Sequence, residues 1–265
     1  MEIPLFPLHT VLCPGIVLPL HIFEERYRAM TRHCLATGEP FGVVLIREGR
    51  EIGTKGVATL AGVGAFAEIR QAGRYPDGRY DLLAAATGRF AIESVDALRE
   101  PYLVARVTPL DDEVGDEPHA ERLAAVAVRR FVRYLDLMRA RDGETTEDLD
   151  IRVEIDSGDD PSEEDEGGGT PESARSARDA GADDDVEPVH QHDLAIPDDP
   201  TVLSYLLSGI VQVELPRRQA LLEAETTVER LEGLITLLER ELVLLRQRLR
   251  IFSPDPRLHG GPVRS

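Results

Sequence analysis

Side chains that could carry out chemistry are few and poorly placed for it. Lys55 is the single lysine among 30 basic residues. A Walker A loop needs Gly-Lys-Ser/Thr, so that an ammonium and a hydroxyl reach the phosphates and their magnesium, but Lys55 is followed by Gly56 and Val57. A Ser–Lys hydrolase would have to use the same residue as its base. No Gly-x-Ser-x-Gly elbow occurs, and most serines lie in an acidic tract or in helical text. The two cysteines, Cys13 and Cys34, are too few for a disulfide framework or a Cys-x-x-Cys zinc site. They fit a reducing, cytoplasmic interior, where a lone thiol is a small buried apolar group.

Other constellations also fall short. His9 with Cys13, or His33 with Cys34, lacks the remaining ligands of a metal site. His190, His192 and Asp193 lie in the acidic tract with nothing to orient them. Gly62-Val63-Gly64-Ala65-Phe66-Ala67 matches the dinucleotide pattern G-x-G-x-x-A, whose chemistry needs a helix opening onto the pyrophosphate. The next residues, Glu68 to Gly73, lead into a turn instead, so the glycines read better as part of a curved strand. No catalytic, metal-binding or cofactor-binding residue is assigned, and no cofactor is expected.

The elements around these residues fall into two halves and a spacer. The chain has 265 residues and a formal charge of -19. Of its 49 acidic and 30 basic residues, 22 and 3 lie between Asp142 and Pro200, so the rest is neutral. That tract is poor in aromatics and contains Gly167-Gly168-Gly169; it cannot bury enough apolar area to offset the ordering of its backbone. Disorder is expected from about Gly143 to Ala195, inside an insertion spanning 142–197. Its like charge also argues against nucleic acid as its partner.

Ile3 to Phe23 is an uncharged run long enough to cross a bilayer. Pro4, Pro7, Pro14 and Pro19 cannot share one helix, and the basic start of a signal peptide is missing. The run reads as strands and turns, with the prolines fixing turns at the sheet edge and Leu5, Leu18, Leu20 and Phe23 filling the core. No membrane contact is expected. Strand text continues at Phe41–Ile46, Val57–Ile69, Tyr80–Ala86, Phe90–Val95 and Tyr102–Val107, with a hairpin turn at Gly73–Gly78. This stretch has no room for repeated helical crossovers, so the sheet should be antiparallel and barrel-like. Phe23, Tyr27, Met30 and Cys34 form one helical stripe, ended by Gly38 and Pro40.

Residues 1–118 thus form a β subdomain, and an amphipathic helix spans 119–141. Helical text resumes over 198–252. Asp198-Asp199-Pro200-Thr201 starts an apolar helix over Val202–Val213, and Pro216 opens a long helix reaching about Phe252. In that helix Val228, Leu231, Ile235, Leu238, Leu242, Leu245, Leu249 and Phe252 form an a/d repeat. Leu234, Leu237 and Leu244 widen the stripe beyond a dimer seam, which favours packing on the chain's own helices; monomer and homodimer both remain open. Residues 253–265 read as a frayed tail.

A family resemblance joins these pieces. Ile3-Pro4-Leu5-Phe6-Pro7-Leu8, Val11-Leu12-Cys13-Pro14-Gly15 and Leu18-Pro19-Leu20-His21-Ile22-Phe23-Glu24, with Arg26-Tyr27, resemble the start of the N-terminal substrate-binding domain of Lon proteases. The likeness continues at Phe41–Ile46, Gly56–Ala61, Gly78–Leu83, Gly88-Arg89-Phe90 and Pro101–Ala105, and returns at Leu203–Leu207 and Arg218–Glu223. It implies an α+β fold: a PUA-like antiparallel β pseudo-barrel followed by a C-terminal α-helical bundle. It also implies a grip on unfolded or exposed polypeptide segments, with a separate protease or chaperone as a further partner class. Within these residues the family's ATPase and Ser–Lys peptidase modules have no counterpart, so a non-catalytic adaptor or holdase is expected. Glu24 and Arg26 read as ties between the first helix and the barrel.

RNA binding is the alternative that a PUA-like barrel raises. It would want a basic stripe with stacking aromatics, whereas aromatics make up 5% of the chain and tryptophan is absent. Casein incubated with pure protein, with and without ATP, should remain intact by mass spectrometry; ATP-dependent cleavage would overturn the non-catalytic reading.

Overall fold

A computed structural model describes residues 1–48, 59–142 and 196–252. The expected disorder over 143–195, the histidines at 190 and 192, and the tail over 253–265 lie outside the described residues.

Strand β1 (Glu2–Leu8) is the hinge of the sheet. Its first half pairs antiparallel with β7 (Leu103–Leu110), Ile3 opposite Ala105. Its second half pairs parallel with β3 (Phe41–Glu48), Phe6 opposite Val43. Pro4 and Pro7 therefore sit inside a strand, in place of the turns expected for them. The reason is local. Met1 and Val107 exchange hydrogen bonds of 2.8 Å, so odd-numbered residues face β7 and Pro4 turns its donorless nitrogen away. On that side pairing with β3 starts only at Leu5.

The ring continues from β3 to β5 (Val63–Arg74), then β6 (Tyr80–Asp96), and back to β7, so β1 closes it. Short β4 (Thr59–Leu60) flanks β3, and β2 (Val17–Ile22) flanks β6. Among the described strands all pairs are antiparallel except β1–β3, which corrects the wholly antiparallel expectation. The connection from β1 to β3 holds α1 (Glu25–Thr37), the helical crossover such a pair requires. The two strand segments read at Tyr80–Ala86 and Phe90–Val95 are one 17-residue strand, with register shifts that bend it rather than a break.

Gly64 shows why the glycine pattern serves the sheet. A Cβ there would lie 2.5 Å from the Val43 carbonyl oxygen and 2.6 Å from the Phe90 ring. Both cysteines are buried, and burial pushes their thiols up to about 11. In α1, Tyr27, Met30 and Cys34 are buried as the stripe predicts. Phe23 is not: it precedes the N-cap Glu24 and is 62% exposed. Leu18 and Leu20 are only partly buried, against the core that contains Leu82 and Ala84.

Helix α2 spans Glu117–Asp142, its start fixed by Asp116 accepting from the His119 N–H at 2.7 Å. Helix α3 (Pro200–Ile210) begins at the expected acidic start: Asp199 accepts from the Thr201 and Val202 N–H groups. The long helix expected from Pro216 is two helices, α4 (Leu215–Glu223) and α5 (Thr227–Phe252). Thr226 accepts from the Glu229 N–H at 3.1 Å and Glu229 accepts from the Glu225 N–H at 3.1 Å, a Thr-x-x-Glu start that ends α4. The leucine seam of α5 packs within the chain. Leu231, Leu234, Leu238, Leu242 and Leu245 share a core with Ala127, Phe131 and Tyr134 of α2, and Arg130 pairs with Glu239 at 2.7 Å. Among the described residues no helix is long and apolar enough to cross a membrane.

Two buried arginines tie sheet to helices. Arg89 of β6, 3% exposed, contacts Asp112 at 3.0 Å and donates to the carbonyls of Leu222 and Ala224. Arg230 of α5, fully buried, donates to Leu221, Ala224 and Ser204, and its guanidinium lies 3.8 Å from the Tyr205 ring centre. The Tyr205 hydroxyl also donates to Asp112. Asp112→Ala should destabilise the fold by about 3 kcal/mol, because it strands buried cations. Tyr205→Phe should cost about 1 kcal/mol. Urea midpoints will separate the two, and equal losses would contradict this account.

Candidate functional site

An exposed aromatic group sits where β2, the β5–β6 hairpin and the entry to α1 meet. The hairpin is built by its turn. Gly78 has φ 85°, and Tyr75 and Arg79 bond across the turn at 2.9 Å. Arg28 of α1 reaches over to donate to the Gly78 carbonyl at 2.8 Å and the Asp77 carbonyl at 3.1 Å. That contact ties the first helix to the sheet. Glu24 and Arg26, expected to tie the helix to the barrel, pair with each other at 2.9 Å, and Arg26 lies 4.6 Å from the Tyr27 ring centre.

Asp81 organises the surface. One of its oxygens accepts from His21 Nδ1 at 2.6 Å, and the other accepts from the Tyr75 hydroxyl at 2.5 Å. An ionised carboxylate only accepts, so the His21 proton is on Nδ1. The Tyr75 and His21 hydrogen bonds hold the Asp81 carboxyl below its ordinary range, and the same contact raises the Tyr75 phenol. His21 stacks on Phe23 at 6.3 Å and meets Tyr75 edge-on at 6.1 Å, while Arg79 lies 5.4 Å from the Tyr75 ring centre. Phe23 at 62% and Tyr75 at 40% remain open to solvent, and Val17 is also exposed.

The rim of this surface is a strand edge. Among the described residues β2 pairs with β6 alone. The Ala86 N–H donates to Ile16, which sets Leu18, Leu20 and Ile22 to bond β6 and turns the backbone of Val17, Pro19 and His21 outward. Alternation also leaves those three side chains exposed.

Metal-binding geometry does not accompany it: among the described residues no three His, Cys, Asp or Glu side chains gather to hold an ion. His9 is exposed and Cys13 buried; His33 faces Glu39 at 3.4 Å, and Cys34 is buried. Gly62 and Gly64 lie beside and within β5, with no helix opening after them. Sequence alone assigns no binding residue to this surface. The signal available for it is Phe23, an aromatic just before a helix whose stripe is complete without it.

Comparison with known proteins fits this frame. The sequence model described as "ATP-dependent protease La (LON) substrate-binding domain" matches residues 2–240, and the chain belongs to that family. Lon protease of Flavobacterium johnsoniae is 30% identical over 123 residues, 46% of this chain and 15% of that protein. Lon protease of Escherichia coli strain K12 is 25% identical over 256 residues, 95% of this chain and 26% of that protein. The chain thus spans only a minor part of the length of these relatives. A crystal structure of a Lon N-terminal domain protein from Xanthomonas campestris superposes with a TM-score of 0.53 at 22% identity, covering 89% of this chain and 98% of that one. The N-terminal domain of a Mycobacterium avium complex Lon protease gives 0.54 at 18%, covering 90% and 98%. Both share the mixed α+β fold.

Asp81→Asn should return the Tyr75 phenol toward its ordinary pKa, because the acceptor charge that favours the neutral phenol is gone. Ultraviolet titration of wild type and variant will read this as a fall in the Tyr75 midpoint; an unchanged midpoint would refute the coupling.

Proposed function

We propose that this chain is a polypeptide-binding module that holds exposed apolar segments of other chains and makes or breaks no bond in them. The observation that carries the reading is Phe23, largely exposed yet set in an ordered group with His21 and Tyr75. An ordered, solvent-facing aromatic cluster is a surface for apolar side chains. Family membership supports substrate binding as the role, and the Lon relatives suggest polypeptides as the substrate.

We read the closed strand ring as a PUA-like pseudo-barrel over residues 1–118, and α2 to α5 as a helical bundle. In this account the module works as an adaptor or holdase in the cytoplasm. Clients are chosen by apolar content, because a folded protein hides such segments and an unfolded one does not.

Phe23→Ala should weaken binding of short labelled peptides rich in Leu, Phe and Val by about tenfold, as expected for loss of an aromatic anchor. Its folding stability should change by no more than about 0.5 kcal/mol, since little of the ring is buried. Fluorescence anisotropy and urea unfolding on the same samples give both numbers. A variant that binds like wild type would remove Phe23 from the site, and no binding by wild type would end the proposal.

A further inference from the structure

A second surface lies away from the aromatic group, between the α3–α4 connection and the last turns of α5. It is an open cavity of about 430 Å³ lined by Gln212, Val213, Glu214 and Arg218 on one side and Arg240, Glu241, Leu244 and Arg248 on the other. Arg240, Leu244 and Arg248 recur every four residues and so share one face of α5. The volume falls in the range of small-ligand sites.

Its arginines lack partners in an uneven way. Arg218 donates from Nη2 to the Val211 carbonyl at 2.5 Å, which fixes its head, yet its Nε is buried with no hydrogen-bond partner. Among the described residues Arg240 and Arg248 have neither an ion pair nor a hydrogen bond. Of the two carboxylates on the wall, Glu214 is engaged by Arg217 at 2.9 Å. Three guanidinium groups therefore face one unengaged carboxylate, Glu241.

We infer that this cavity binds the terminal carboxylate of a polypeptide chain whose last side chain is apolar. The cationic excess is modest, and Glu241 would repel a dianion such as phosphate more than a single carboxylate. Leu244, 36% exposed, and Val213 supply an apolar wall beside the guanidinium groups, which an inorganic anion would leave unused. Guanidinium and carboxylate match in planar, paired hydrogen bonds, and Arg240 and Arg248 flank Leu244 on the same face. The inference rests on the polypeptide-binding reading and adds to it a preference for chain ends.

The test uses the full chain and two labelled peptides of one sequence ending in leucine, one with a free terminal carboxylate and one amidated. Amidation should weaken binding to wild type by about tenfold, the usual worth of a charge-assisted contact. The double variant Arg240→Gln, Arg248→Gln should bind both peptides equally, at the level of the amidated one, with an unchanged circular dichroism spectrum. Equal binding of the two peptides by wild type would overturn this inference and leave polypeptide binding standing. Failure to bind either would overturn both. Competition by inorganic phosphate where acetate at equal ionic strength has no effect would overturn the carboxylate assignment in favour of a phosphate site.

Discussion

The Asp112 carboxylate, shared by Arg89, Tyr205 and Arg230, is the contact on which the rest of the architecture depends. It joins a strand in the middle of the sheet to two helices distant in sequence. Burying two guanidinium groups is expensive unless every donor is answered, and here the answers are Asp112, Ser204 and the end carbonyls of α4. Those carbonyls are available only because α4 stops at Glu223. The break between α4 and α5 is therefore part of the same arrangement: helix end, buried cations and sheet satisfy one another. Burial lowers the Arg230 pKa, while Tyr205 and Asp112 act against that fall.

The aromatic surface is positioned by different means. Nothing in it is deeply buried, so its order comes from hydrogen bonds and from the turn beneath it. Gly78 leaves no room for a side chain, since a Cβ would run into the Arg28 guanidinium. That gap lets Arg28 reach the hairpin backbone and hold the start of α1, with Phe23 just ahead of it and His21 between the Phe23 and Tyr75 rings. Asp81 then sets the relative orientation of His21 and Tyr75. Rigid aromatic rings that need no rearrangement on contact lose little entropy when a ligand arrives.

Much of this is legible in the sequence, for reasons that can be named. The Gly73–Gly78 hairpin, the stripe through Tyr27, Met30 and Cys34, and the Asp199-Pro200 helix start are local signals that need no partner to be read. The parallel β1–β3 pair is not legible, because it depends on which strand lies beside another once α1 has crossed over. Nor is the Ala224 break: Pro216 and the leucine repeat that begins at Val228 read as one helix, and the Thr226-x-x-Glu229 start between them is only a short polar signal. Phe23 misleads because its spacing extends the α1 stripe by one turn, although the helix starts only after Glu24. Arg28 gives no signal for the hairpin, since beyond its local pair with Glu25 its partners are backbone carbonyls some fifty residues away. The Arg240-Leu244-Arg248 face is visible as spacing, but its meaning emerges only with Arg218 opposite.

Pro19 has an effect beyond the strand that contains it. An exposed strand edge flanked by apolar side chains is at risk from its own kind, since every copy of the chain carries the same rim. The proline ring leaves a missing rung midway along the β2 rim, so two copies meeting there cannot zip together along their whole length. The rings beside it can stay exposed while runaway fibre growth is held in check.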